Sequence, residues 1–125
     1  MKKEQKKVLI VEDEKSLLDI MREEFKEAGF LVATAMDGQE GLAAAKKESP
    51  DLILLDIAMP KMDGLTMAKE LAAAGKDIPI IFLTNLDDLD HVSNAIGLGS
   101  FDYLIKSNWK LEDVVKRAKE KLNIS

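Results

Sequence analysis

Short apolar runs alternate along this chain with longer stretches of helical periodicity. The first run, Lys7–Val11, is β-branched and apolar and predicts a buried strand. From Glu14 to Ala28, the residues Leu17, Leu18, Met21, Phe25 and Ala28 share one face of a helix that Gly29 ends. Phe30–Ala35 reads as the second strand. Asp37 then caps a second helix, with Glu40 as its capping-box partner, and Ser49-Pro50 stops it. Asp51–Leu55 is the third strand, and the loop Asp56–Asp63 leads into a third helix. That helix turns Leu65, Ala68, Leu71 and Ala72 inward and closes at Gly75. Ile78–Leu83 is the fourth strand, and a fourth helix carries Leu89, Val92, Ala95 and Ile96. Phe101–Ile105 is the fifth strand. The last helix shows Leu111, Val114, Val115, Ala118 and Leu122, an i, i+3, i+4, i+7, i+11 stripe.

Strand and helix in strict alternation predict an α/β fold with a parallel sheet. Right-handed crossovers leave few arrangements of five parallel strands. The order 2-1-3-4-5 gives a doubly wound five-stranded sheet with helices on both faces and a switch point between strands one and three. No repeat, low-complexity tract or linker interrupts the pattern, and 125 residues suit one domain, 1–125, with its core at about 7–122.

Composition narrows the functions. With 46% hydrophobic and 33% charged residues the balance is that of a water-soluble globule. The absence of cysteine excludes disulfides and thiolate chemistry, and a single histidine, His91, leaves a multi-histidine metal site or a Ser-His-Asp triad without support. A net charge of −5 argues against gripping a nucleic-acid backbone through this chain. The start is basic, but the apolar run after it is too short for a signal peptide or a membrane span. The expected location is therefore cytoplasmic, with no membrane contact.

Candidate chemistry lies at the strand ends. Glu12 and Asp13 close the first strand and Asp56 closes the third, on either side of the switch point. Unpaired buried carboxylates are costly, so such a group calls for a cation, hydrogen bonds or water. An all-oxygen site with few ligands suits Mg2+, which keeps several waters and leaves room for a phosphate oxygen. Capping of the first helix by Glu12 and Asp13 is the plainer explanation, but it leaves Asp56 without one. Thr84 ends the fourth strand and Lys106 the fifth. A hydroxyl, an ammonium and a metal around one carboxylate could neutralise a phosphoryl group in transfer, with Asp56 as nucleophile.

These stretches together resemble the receiver domain of two-component response regulators. The matching residues are Val8-Leu9-Ile10-Val11-Glu12-Asp13-Glu14, Asp51-Leu52-Ile53-Leu54-Leu55-Asp56-Ile57-Ala58-Met59-Pro60-Lys61-Met62-Asp63-Gly64, Phe82-Leu83-Thr84 and Asp102-Tyr103-Leu104-Ile105-Lys106. The flavodoxin-like order 2-1-3-4-5 is also that of a chemotaxis member of this family. The resemblance implies that Asp56 accepts a phosphoryl group from a phosphohistidine on a sensor histidine kinase or phosphotransfer protein. It implies that Asp13, Asp56 and the Ala58 main-chain carbonyl hold Mg2+, with Glu12 reaching it through water. Lys106 and the Thr84 hydroxyl would bind phosphoryl oxygens, helped by main-chain N–H groups of Ala58 and Asn85. Tyr103 matches the family's switch aromatic. Phosphorylation would then draw Thr84 over, let the Tyr103 ring follow, and shift the surface of the fourth helix, fifth strand and fifth helix toward a downstream protein target or a homodimer.

The chain departs from the family pattern in places. Ser107 follows Lys106 where the family usually has proline, often cis; a non-proline cis bond costs about 2.5–4 kcal/mol, so a trans bond is expected. Asn85 stands where a small residue is common, and Ala58 and Leu86 offer no polar group to orient a water, which predicts slow self-dephosphorylation. His91 reads as solvated, Trp109 as a packing staple before the last helix, and Met59, Met62 and Met67 as packing groups. Gly97-Leu98-Gly99 precedes a strand and is not a dinucleotide loop. Two other functions stay open: a Mg2+-dependent phosphohydrolase, which usually needs an acid where Ala58 stands, and a pseudo-receiver binding module that never takes phosphate.

Overall fold

The computed structural model describes residues 5–85, 102–106 and 110–124. Five parallel strands stand in the order β2-β1-β3-β4-β5, as the alternation of elements predicts. They are β1 Lys7–Val11, β2 Leu31–Ala35, β3 Leu52–Asp56, β4 Ile80–Thr84 and β5 Asp102–Ile105. Three helices connect the first four strands: α1 Lys15–Glu27, α2 Gly38–Glu48 and α3 Gly64–Ala73. A C-terminal helix spans Leu111–Lys121 and matches the last predicted one. The predicted fourth helix lies outside the described residues, together with His91, Gly97-Leu98-Gly99, Phe101, Ser107 and Trp109.

The sheet separates two cores, as the period of a strand requires. Val8, Ile10, Leu52, Leu54, Ile81 and Leu83 pack under α1 and the C-terminal helix with Met21, Phe25 and Val114. Leu9, Val11, Ile53, Leu55 and Phe82 face the other way and pack against Leu65, Met67 and Leu71 of α3. Met59 and Met62 sit half-buried against this second core, as packing groups.

Local hydrogen bonds move several element ends by a residue or more. Asp51 stands before β3, not in it: its carboxylate accepts the Lys7 N–H at 2.8 Å and its own N–H donates to the Lys7 carbonyl at 2.8 Å. The strand therefore runs one residue later and takes in Asp56. β4 likewise begins at Ile80, because Pro79 has no N–H to give the ladder; its carbonyl accepts from Ile53 at 3.0 Å. It also takes in Thr84 as its last residue. Helix α1 starts after Glu14, whose N–H donates to the Glu12 carboxylate at 3.0 Å. Gly29 ends it in the left-handed region at φ 98, which delays β2 to Leu31. Of the predicted box on α2, the structure shows one half, the Glu40 N–H donating to Asp37 at 2.8 Å. On α3, Ala72 is exposed, one residue further round the helix than the buried stripe Gly64, Met67 and Leu71. Among the described residues, no helix is long and apolar enough to cross a membrane.

Candidate functional site

Register brings the polar strand ends together. Val11 pairs with Leu55, Asp56 with Leu83 and Thr84 with Ile105, so the carboxyl ends of β1, β3, β4 and β5 finish side by side. Glu12 extends the backbone of β1 by one more bond, its N–H donating to the Ala35 carbonyl at 3.0 Å. Glu12 is fully buried, Asp56 is 3% exposed and Thr84 is 1% exposed, whereas Asp13 is open to solvent.

Glu12, Asp13 and Asp56 each offer a carboxylate oxygen, and these oxygens lie within 4.8 Å of one another. Lys106 enters from the end of β5, with its ammonium 2.9 Å from Glu12 Oε1 and 3.0 Å from Asp56 Oδ1. Among the described residues, the Lys106 ammonium thus meets two of the three clustered acids directly. Burial, then the negative charge of Glu12, raises the Asp56 pKa from 3.8 to about 7 against the opposing pull of Lys106. For Lys106, burial acts to lower the pKa, but the two carboxylates outweigh it and hold the ammonium above its ordinary range. Among the described residues, the buried Glu12 Oε1 has no hydrogen-bond partner; its contact with Lys106 is charge without alignment. A small hard cation fits this donor set: oxygen ligands only, excess negative charge, and a buried oxygen not yet satisfied.

The other expected residues take these places. The Thr84 hydroxyl donates to the Asn85 carbonyl at 3.0 Å. Tyr103 pairs with Phe82 two positions before the Thr84–Ile105 pair, so Tyr103 and Thr84 share one face of the sheet. Tyr103 is 37% exposed. Ala58 is exposed and, with Asp13, Ile57, Met59, Pro60, Asp63 and Leu65, lines an open groove beside the acids. The structure thus brings Glu12, Asp13 and Asp56 together, joins Lys106 to Glu12 and Asp56, leaves Thr84 buried at the end of β4, and exposes Ala58 and Asn85. Sequence reasoning missed the direct Lys106–Glu12 contact. It also missed how tightly Gly64 is needed: a Cβ there would fall 2.3 Å from the Asp56 carbonyl oxygen. The Asp63-Gly64 pair was the available signal.

Comparison with known proteins gives a consistent picture. The chain matches the family model for the response regulator receiver domain over residues 8–119. It is 39% identical over 101 residues to the alkaline phosphatase synthesis transcriptional regulatory protein PhoP of Bacillus subtilis, covering 81% of this chain and 42% of that protein. It is 36% identical over 113 residues to the transcriptional regulatory protein PrrA of Mycobacterium tuberculosis, covering 90% of this chain and 48% of that one. The chain therefore spans less than half the length of these curated relatives. Among solved structures, the Francisella response regulator 1452 receiver domain superposes with a TM-score of 0.84 at 28% identity, covering 95% of this chain and 98% of that one. A CheY-like receiver domain protein of Methanospirillum hungatei gives 0.81 at 28% identity, covering 96% and 95%.

Proposed function

We propose, from the premise that the chain belongs to the response regulator receiver domain family, that Asp56 is the phosphoacceptor of a signalling switch. The observation that carries this reading is the Asp56 carboxylate, buried at the end of β3 with the Lys106 ammonium 3.0 Å from one oxygen. An Asp56 oxygen attacks the phosphorus of a phosphohistidine on a sensor histidine kinase or phosphotransfer protein. The new O–P bond forms as the P–N bond breaks, and the imidazole nitrogen keeps the electron pair and takes up a proton. Lys106 stays beside Asp56 and receives a phosphoryl oxygen, exchanging one anionic partner for another. The main-chain N–H groups of Ala58 and Asn85 receive the others. Asp13, Asp56 and the Ala58 carbonyl would hold Mg2+, with Glu12 reaching it through water, and the ion would supply positive charge against the transferred group.

The Thr84 hydroxyl leaves the Asn85 carbonyl for a phosphoryl oxygen, and Tyr103, on the same face, follows it. The surface around β5 and the C-terminal helix changes its population of shapes in response. That surface then takes a downstream protein or a second copy of the chain; nucleic acid and membrane are not partners through this chain, and the setting is cytoplasmic. Intact mass after treatment with acetyl phosphate and Mg2+ should show one added phosphoryl group, mapped to Asp56. Asp56→Asn should take up none, and full labelling of that variant would overturn the assignment.

A further inference from the structure

The segment between β3 and α3, residues 57–63, is tied down at points outside the acidic cluster. Gly38 opens α2 and donates its N–H to the Met62 carbonyl at 3.0 Å. That N–H is one of the unpaired donors at the positive end of the helix, so the loop stands where solvent would otherwise bond. The approach leaves no room for a side chain, because a Cβ on Gly38 would fall 2.2 Å from the Met62 oxygen. Next to it, Asp37 is 7% exposed and holds the Lys61 ammonium at 3.6 Å. Lys61 itself is left-handed at φ 67, a conformation disfavoured for a residue with a Cβ. Strain of this kind persists where the surroundings over-determine the backbone. At the other end, Gly64 donates to the Ile57 carbonyl at 2.9 Å, which closes the loop on itself. Ala58 and Asp13 line the same groove, so the set of this loop decides where the Ala58 carbonyl stands relative to the acids.

We propose that Gly38 is a positioning residue for the metal site: its close backbone contact with Met62, aided by the Asp37–Lys61 pair, holds the 57–63 loop so that Ala58 completes the cation site of Asp13 and Asp56. This deepens the function proposed above and rests on it. The backbone contact carries most of the effect, because Lys61 is 66% exposed and its ion pair is weak in water. Coupling of this kind is reciprocal, so cation binding also tightens the contact between the loop and α2.

The test uses Mg2+ alone, followed by titration calorimetry on the whole chain. Gly38→Ala should weaken Mg2+ binding about ten-fold or more, the scale seen when supports of metal ligands are removed. Gly75→Ala is the control: Gly75 is left-handed at φ 75 and ends α3, so the change destabilises the fold without touching the loop. Equal Mg2+ affinity in wild type and Gly38→Ala, or equal weakening in both variants, would overturn the proposal. Should Gly38→Ala fail to fold, amide exchange on the wild type decides. Saturating Mg2+ should slow exchange at the Gly38 N–H more than at Gly41, whose N–H bonds to the Asp37 carbonyl at 2.8 Å. No difference between the two amides would overturn it as well. A wild type that binds no Mg2+ would overturn the reading beneath it and this proposal together.

Discussion

Lys106 serves two buried carboxylates at once, and the remaining imbalance has a measurable sign. Asp56 carries a folded-state pKa of about 7 against an ordinary value of 3.8. The folded state therefore binds the proton more tightly than the unfolded one. Its stabilising contribution is fully present below about pH 4 and is lost as pH rises through about 7. In metal-free buffer, chemical denaturation should show wild-type stability falling across that window relative to Asp56→Asn. At pH 8 the variant should be the more stable, by on the order of 2 kcal/mol once solvent screening is allowed for. Added Mg2+ should remove most of the gap, and a wild type that gains stability on titration from pH 5 to 8 without metal would contradict this. Chemistry after transfer is also set by single residues. Ala58 beside Asp56, and Leu86 two residues past Thr84, offer nothing to orient an attacking water. A radiolabelled phosphoryl group on the purified protein should persist for many minutes, and loss within seconds would count against this expectation of slow self-dephosphorylation.

Elements meet here through backbone as much as through side chains. Gly64 opens α3 with its Cα packed on the β3 backbone, where an added Cβ would also reach within 3.1 Å of Ile57 Cα. Gly64→Ala should therefore lower the urea midpoint by the equivalent of about 1–3 kcal/mol. Gly29→Ala, with nothing within 4 Å but a φ of 98, should cost about 1 kcal/mol. If Gly29→Ala proved the costlier, the packing argument would fail. The order of elements was legible because Val8–Val11 of β1 and Leu52–Leu55 of β3 are unbroken apolar runs and the helices carry apolar stripes. Their ends were less so. Asp51 looks like a strand residue until its carboxylate is seen on the Lys7 N–H, a contact across 44 positions that no local pattern encodes. The same holds at the site. Three acids and a lysine at strand ends were visible in the sequence, because their position after apolar runs is a local fact. The Lys106–Glu12 pair was not, because it depends on how far a flexible side chain reaches past the ends of β4 and β3.

At the scale of the whole molecule, charge is unevenly shared. Asp19, Glu23, Glu24 and Glu27 line a shallow acidic hollow on α1 around the exposed Ile20. Asp102 at the start of β5 pairs with Arg117 and Lys121 of the C-terminal helix, which holds that edge of the sheet to its covering helix. β5 is thus an edge strand, while the acidic cluster stands at the ends of the interior strands β1 and β3. The curated relatives are more than twice as long as the stretch they share with this chain.

The sheet also behaves as a partition wall between two compartments that share no side chains. Val114 belongs to one and Leu71 to the other. A hole made on one side has no neighbour across the wall to flow into it. Val114→Ala and Leu71→Ala should each cost about 1–4 kcal/mol, and the double variant should lose the simple sum to within about 0.5 kcal/mol. A large departure from that sum would mean that the strands transmit distortion from one compartment to the other, and that the wall bends.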